Sequence, residues 1–506
     1  MNSSFTTRQK VGFFSGIPLF ILCLFLPLPK GMTVEAKYVA AVTILMGFWW
    51  LTEAIPIPVT SLIPIILFPL LGIKDAASTT ASYGDKNIFL FMGGFFIAIA
   101  IEKCGLHRRI ALNIIAMLGK SKKTIILGFM IASSFLSMWI SNTATTLMML
   151  PIGAAVITSI GEIFEENKNQ ENFNKALMLG IAYAASIGGI STLIGSPPNL
   201  IFAGVSKTIF PDSPEITFTK WITFGIVIVI IFLPICWYIL TGFLFKIKSE
   251  NTHKVKTVVR EKLKSLGKIK REEKLVLIIF ILTSLGWIFR RRIDLEFFSI
   301  PGWSELLNRP KFAHDSTVAI AGAILLFLIP GNWKKKEFLL NWRDAKKIPW
   351  GILILFGGGI ALASGFRDSG LSSYIGHSLK GLSHLPSWCV VFTICMVVTF
   401  LTEVTSNTAT ASIFMPILAG LAISTRIHPF LLMIPATVSA SCAFMLPVAT
   451  PPNAIVFSSG WIKIPDMAKT GIFLNIIGAI LITAITFLIT IPLFNINFNT
   501  LPVWAK

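Results

Sequence analysis

The chain is poor in charge. Only 13% of its 506 residues are Asp, Glu, Lys or Arg, against about 25% in a soluble globular domain. That scarcity excludes a protein whose whole surface meets water. Histidine is scarce too, with six in all and no spacing that suits metal ligands. The six cysteines, at 23, 104, 236, 389, 395 and 442, form no Cys-x-x-Cys pair. Most fall within apolar runs and read as free buried thiols. There is no His-Glu-x-x-His, no paired-Asp motif and no Cys–His set. The usual means of a membrane-embedded enzyme are therefore missing, and a carrier or channel is expected instead.

Apolar residues are abundant: 54% of the chain is hydrophobic and the mean hydropathy is +0.76. Runs longer than the ~18 residues that take a helix across a bilayer recur. Gly12 to Leu28, with its flanks, and Phe224 to Phe245 are examples. The composition predicts an all-α polytopic membrane protein. Arg8 and Lys10 precede the first run, but "LPLPKG" ends it without an Ala-x-Ala-like cleavage site, so a retained first helix is expected. The net charge of +20 would suggest nucleic acid in a soluble protein. Here it fits basic cytoplasmic loops, and no nucleic-acid partner is expected.

Spans are expected near 11–29, 38–56, 58–73, 88–117, 177–205, 218–245, 275–290, 315–330, 349–380, 429–459 and 470–495. That thread makes eleven transmembrane helices. Two more apolar segments, 124–162 and 388–425, are too long for one helix and barely long enough for two. They are expected as re-entrant hairpins, which enter and leave on one side and need protein or a cavity around their tips. With the N-terminus inside, Lys and Arg concentrate in the inside segments. Eleven lie between Lys246 and Lys274, in a basic linker, and six between Lys334 and Lys347. The expected topology is N-in and C-out, in a plasma membrane of the bacterial inner-membrane kind. Arg290, Arg291 and Arg292 dissent on the outside, where only a headgroup contact accounts for them.

The chain also repeats itself. "SNTATTLMMLPI" starts at Ser141 and "SNTATASIFMPI" at Ser406, 265 residues later. "FMGGFFIAIAIEKCGL" from Phe91 answers "FGGGIALASGFRDSGL" from Phe356 at the same offset, with Gly105 matching Gly370. "GSPPN" (195–199) answers "ATPPN" (449–453) at an offset of 254. The order is the same twice, and the thread runs Phe91 inward and Phe356 outward. Inverted repeats with interrupted apolar segments mark a secondary transporter whose site lies near the midplane.

The polar residues of these motifs suit ions. Pro-Pro breaks a helix, freeing carbonyls on one side and N–H groups on the other. Carbonyl and hydroxyl oxygens suit a small hard cation, and helix N-termini suit an anion. Ser137 lies four residues before Ser141, and Thr402 four before Ser406, so each pair shares a helix face. Each half thus offers two hydroxyls, an Asn and nearby carbonyls from Gly195 or Ala449. A lone Ser-Asn-Thr is ordinarily a helix cap or an interhelical bond; three ordered matches in inverted repeats are not. Glu53, Glu102 and Glu403 are the main intramembrane carboxylates, with Lys103 and Arg367 near such positions. Glu403 follows Thr402 and reads as a tuner of the cation site, a proton carrier or a structural pair. No basic residue sits in the Ser-Asn-Thr or Pro-Pro-Asn motifs, so bound cations are expected to ease the burial of a dianion.

"SNTATTLMMLP", "SNTATASIFMP" and "SASCAFMLPVATPPNAIVF" (439–457) resemble the motifs of the divalent anion/sodium symporter family, which includes dicarboxylate and citrate carriers. The resemblance covers nearly the whole chain. It implies a homodimer and an elevator-type transporter with Na⁺ as coupling ion and no organic cofactor. By position it implies one sodium site from Ser137, Ser141, Asn142 and the Gly195 backbone. The other would use Thr402, Ser406, Asn407 and the Ala449 backbone. Substrate carboxylates would meet Asn142, Thr143, Asn407 and Thr408, with Thr450 and Pro451 lining the pocket. The implied domains are a scaffold at 1–87 and 218–348, with its basic linker at 246–274, and a transport domain at 88–217 and 349–469. Residues 470–506 form a C-terminal helix and tail. The expected function is Na⁺-driven uptake of a C4 dicarboxylate such as succinate, malate or fumarate. Citrate symport and Na⁺-independent dicarboxylate exchange are the alternatives.

Overall fold

The computed structural model describes residues 5–119, 121–161, 168–248, 253–294, 299–333, 337–378, 385–497 and 500–505. Position 162 of the first expected hairpin, 249–252 of the basic linker, 334–336, the span end at 379–380 and Lys506 lie outside them. The described chain is helical, apart from two short antiparallel ribbons. In one, Ile293–Asp294 pairs with Ser299–Ile300; in the other, Pro330–Asn332 pairs with Glu337–Phe338.

The first half runs through α1 (Thr7–Phe25), α2 (Val34–Thr52), α3 (Ile63–Leu70), α4 (Lys86–Cys104) and α5 (Leu106–Leu118). It continues with α6 (Lys122–Ser137), α7 (Asn142–Gly161), α8 (Lys168–Gly189), α9 (Pro197–Ile209) and α10 (Phe218–Tyr238). After α11 (His253–Ser265) come α12 (Arg271–Ile288), α13 (Asp315–Leu328), α14 (Trp350–Asp368) and α15 (Leu371–Ser378). The last stretch holds α16 (Ser387–Thr402), α17 (Asn407–Thr425), α18 (Pro429–Ser439), α19 (Pro451–Phe457) and α20 (Ile464–Ile485). Among the described residues, eight helical stretches are long and apolar enough to span a bilayer. The chain is a multi-pass membrane protein.

The repeat is visible in the helix boundaries. Both α6 and α16 have 16 residues, and they begin and end at the 265-residue offset. Both α7 and α17 begin at the Asn of Ser-Asn-Thr. Each pair forms a helix–turn–helix hairpin with its tripeptide at the turn. A 16-residue first arm is about 24 Å long, short of the ~30 Å hydrocarbon core, whereas the second arms, of 20 and 19 residues, are long enough to cross it.

The thread differs from the structure at two long spans. The expected 88–117 is two helices divided at Gly105, and 349–380 is divided at Gly370. Both glycines have left-handed φ, +82° and +77°. A side chain there would be strained, so the matched glycines end one helix and turn the chain into the next. Charged residues flank both turns, Glu102, Lys103, Arg108 and Arg109 at one and Arg367 and Asp368 at the other, so each glycine carried a local mark.

The two Pro-Pro sites break their spans as expected. Helix α8 stops at Gly189 and α9 starts at Pro197; α18 stops at Ser439 and α19 starts at Pro451. The half-helices that lead into the breaks form the centre of the core. Every residue from Ala176 to Gly189 and from Pro429 to Ser439 is buried, the pattern of a helix apolar all round. Around this centre, α6 packs on α8, α17 on α9 and α18, α16 on α18 and α20, and α4 on α12 and α13. The outer faces of α1, α10 and α12 expose Phe14, Ile230 and Leu282, as lipid contact requires.

The dissenting arginines also find a reason. Arg290 is only 2% exposed. Its Nε meets Asp315 Oδ1 at 2.5 Å and its Nη2 meets Glu215 Oε1 at 2.7 Å. Arg291 pairs with the same Glu215. The triplet thus begins a buried ion-pair knot rather than a headgroup contact. Burial pushes Glu215 up, but Arg290 and Arg291 more than offset this and hold it below the usual carboxylate range.

Candidate functional site

Each hairpin turn folds its Asn back onto the preceding helix. Ser137 Oγ donates to Asn142 Oδ1 at 2.5 Å. At the same offset, Thr402 Oγ1 donates to Asn407 Oδ1 at 2.7 Å. The two expected cation sites are therefore built by one local rule. A hydroxyl on the last turn of the first arm fixes the side-chain carbonyl that opens the second arm.

In the first repeat the break joins this pair. A Cβ on Gly189 would stand 2.5 Å from Asn142 Oδ1 and 3.0 Å from Gly195 O. A Cβ on Gly195 would stand 2.6 Å from Gly189 O and 3.1 Å from Ser137 O. Ser137, Asn142 and Gly195 are thus brought together, and the space between them exists because positions 189 and 195 lack a side chain. Ser141 sits beside them at the start of α7, where its Oγ accepts from the Ala144 amide at 3.3 Å. Thr192 ties break to hairpin: its Oγ1 donates to Met138 O at 2.5 Å and accepts from the Gly195 amide at 3.0 Å.

In the second repeat, Thr402 Oγ1 also reaches Ala440 O at 3.1 Å, on the way into the break. Ser406 is the N-cap residue of α17. Glu403 holds the rest of this break. Its carboxylate accepts from the amides of Phe444, Met445 and Leu446 at 2.7, 2.9 and 3.1 Å, and from Asn475 Nδ2 at 2.8 Å. Glu403 is 3% exposed, so these four donors are its solvation. Ala449 follows in the same irregular segment, its amide on Leu446 O at 3.2 Å.

The repeats interlock. Helix α17 of the second hairpin packs on α9, just after the first break; α7 of the first hairpin packs on α19, just after the second. This crossing puts Asn142 and Thr143 on a helix that touches the one opened by Thr450 and Pro451, and puts Asn407 and Thr408 beside the first break. Thr408 is buried, Thr143 half-buried and Pro451 exposed. Thr450 caps α19, its Oγ1 accepting from the Asn453 amide at 3.3 Å. No direct contact links Thr143, Thr408 or Pro451 to the Ser137–Asn142 or Thr402–Asn407 pairs among the bonds above.

Chemically, the pairs offer hydroxyl, amide and peptide oxygens and no charged ligand, a set suited to a hard monovalent cation. The N-termini of α7, α17 and α9 carry the partial positive charge that suits a carboxylate. Among the described residues no group of three His, Cys, Asp or Glu side chains could hold a metal ion. Sequence reasoning missed Gly189, Thr192, Asn199, Asn453 and the Ser196–Ser441 contact. The two asparagines lay within quoted motifs, and their shared offset was the available signal.

These features define a membrane transporter whose two halves carry matching hairpins and helix breaks that pack across each other. The chain belongs to the sodium:sulfate symporter transmembrane-region family, whose model matches residues 9–496. It is 45% identical over 499 residues to the sodium-dependent dicarboxylate transporter SdcS of Staphylococcus aureus (strain MRSA252), covering 98% of this chain and 94% of that one. The protein of the same name from Staphylococcus saprophyticus is 43% identical over 500 residues, with the same coverage. Among solved structures, the MtrF protein of Neisseria gonorrhoeae shares the fold, with a TM-score of 0.59, 12% identity and 97% of both chains covered. The chain is a transporter and not an enzyme.

Proposed function

We propose that this protein carries Na⁺ and a C4 dicarboxylate together into the cell, with succinate, malate and fumarate as substrates. The observation that carries the reading is the paired Ser137–Asn142 and Thr402–Asn407 contact, repeated at one offset in two hairpins that cross. The names of the staphylococcal relatives, sodium-dependent dicarboxylate transporters, support a dicarboxylate as the cargo. One Na⁺ is held by Ser137, Ser141, Asn142 and the Gly195 carbonyl. The other is held by Thr402, Ser406, Asn407 and the Ala449 carbonyl. The dianion lies between them and receives hydrogen bonds from Asn142, Thr143, Asn407 and Thr408, with Thr450 and Pro451 on the wall.

Two cations beside a dianion make a nearly neutral cargo, which lowers the cost of taking it through low dielectric. No arginine clamp is then needed. Uptake is electrogenic only if more than two Na⁺ accompany each dianion. The hairpins and broken helices form the body that moves, elevator-fashion, within a homodimer. The protein lies in the plasma membrane with its N-terminus in the cytoplasm and its C-terminus outside.

The test is radiolabelled succinate uptake into proteoliposomes under an inward Na⁺ gradient, then with K⁺ in place of Na⁺. Na⁺-dependent uptake that is lost in the Asn142→Ala, Asn407→Ala double variant is expected. Equal uptake in K⁺ would overturn the symport reading.

A further inference from the structure

Two asparagines end the Pro-Pro-Asn motifs, and the cation and substrate contacts above use neither. Both Asn199 and Asn453 are fully buried. Asn199 Nδ2 donates to Gly189 O at 3.1 Å and to Thr192 O at 2.7 Å. Asn453 Nδ2 donates to Ala443 O at 3.1 Å and to Leu446 O at 3.1 Å. Both amides therefore reach ten and seven residues back, and the acceptors correspond at the 254-residue offset of the motifs. The intervening sequences have little in common: "GISTLIGSPPN" (189–199) against "AFMLPVATPPN" (443–453). The same pair of bonds recurs although the residues that accept them differ.

The carbonyl at the nearer end has a second donor, and again it is the same in both repeats. The Gly195 amide, shared with Thr192 Oγ1, reaches Thr192 O at 3.3 Å, and the Ala449 amide donates to Leu446 O at 3.2 Å. Gly195 and Ala449 are the two residues whose carbonyls complete the proposed cation sites. In the first repeat the farther end also bears on the site, because Gly189 packs between Asn142 Oδ1 and Gly195 O. Only an amide NH₂ on a short stem can supply two donors here: ionised Asp supplies none, and protonated Asp or Ser only one.

We infer that Asn199 and Asn453 are positioning residues of the two cation sites. Each amide bridges a helix break and, through the carbonyl it shares with Gly195 or Ala449, aims that residue's own carbonyl at the cation. The inference rests on the Na⁺-coupled reading of the site.

The test is Na⁺ activation of succinate uptake at constant ionic strength, with K⁺ as the balancing ion, for wild type and for Asn199 and Asn453 changed singly to Ala and to Asp. Ala lacks both donors, and Asp keeps the volume with at most one. The half-saturating Na⁺ concentration is expected to rise about tenfold, as for a lost pair of buried hydrogen bonds. The maximal rate per folded transporter at saturating Na⁺ should stay near wild type. Less folded protein with an unchanged half-saturating Na⁺ concentration would overturn the inference and leave the asparagines as packing groups. If these variants fail to accumulate, Gly189→Ala tests the same bridge from its other end. Its methyl falls between Asn142 Oδ1 and Gly195 O, and an unchanged Na⁺ dependence there would also overturn the inference. Failure of the underlying reading looks different, since wild-type uptake itself would then be indifferent to Na⁺.

Discussion

Ser196 Oγ lies 2.9 Å from Ser441 Oγ, and this bond joins the two helix breaks. Ser196 follows Gly195, and Ser441 follows Ala440, whose carbonyl takes the Thr402 hydroxyl. A short chain of bonded groups therefore runs from one proposed cation site to the other. Ser196→Ala or Ser441→Ala removes its middle link. The expected outcome is weaker cooperativity between the Na⁺ ions, with the Hill coefficient of Na⁺-activated uptake falling toward one. The coupling is worth up to about 1 kcal/mol, the net value of one buried hydrogen bond. Equal loss in each single variant and no further loss in the double would show that the pair acts as a unit.

Ser137→Ala and Thr402→Ala each remove a proposed ligand and also the donor that fixes the facing Asn. The half-saturating Na⁺ concentration should rise roughly tenfold or more in each, for about 1.4 kcal/mol of lost interaction. Ser137→Thr and Thr402→Ser keep the hydroxyl and should keep most of the affinity. Na⁺ titration of the intrinsic tryptophan fluorescence provides the measurement.

Glu403 separates two roles. Its carboxylate answers three consecutive amides and Asn475, so Glu403→Gln leaves some of these buried donors unpaired. A loss of about 2–3 kcal/mol in stability is expected, read as a lower melting temperature in detergent. A well-folded Glu403→Gln protein whose uptake merely loses its pH dependence would favour proton carriage instead.

Acid should loosen the end of the molecule that holds His314 and His428. Burial, then Lys86, lowers His314 from 6.5 to about 4, and burial alone does the same to His428. Both rings accept a backbone N–H at Nδ1, from Ser316 and Phe430, which requires them neutral. A folded-state pKa below the unfolded one gives stability that is present above about 6.5 and lost as pH falls toward 4. Melting temperature should therefore decline from pH 7 to pH 5, and His314→Gln should remove about half of the slope. Glu215, held low by its arginines, adds its own loss only below its ordinary range. An identical slope in the His314 and His428 variants would assign the decline to other groups.

Much of the architecture was legible because proline and the polar tripeptides leave local marks. The Ser-Asn-Thr tripeptides stand at helix–turn–helix junctions, and the Pro-Pro pairs break their helices, as their sequences implied. The Gly105 and Gly370 turns carried the same kind of signal, a glycine beside charged residues (Lys103 and Arg108, or Arg367 and Asp368), within segments long enough to pass for single spans. The Arg290 knot was not legible, since its partners Asp315 and Glu215 lie 25 and 75 residues away. The asparagine bridges follow no helix or turn spacing, so only the repeat offset could have announced them.

In the proposed mechanism the two hairpin tips form one site in which Na⁺ and a dicarboxylate need each other. Calorimetric titration of succinate into the purified transporter, at several Na⁺ concentrations with K⁺ as the balancing ion, tests it most directly. The account predicts succinate affinity that climbs with Na⁺, approaching the second power of its concentration, and that collapses in both Asn142→Ala and Asn407→Ala. Tight succinate binding that is the same in K⁺ as in Na⁺ would contradict it.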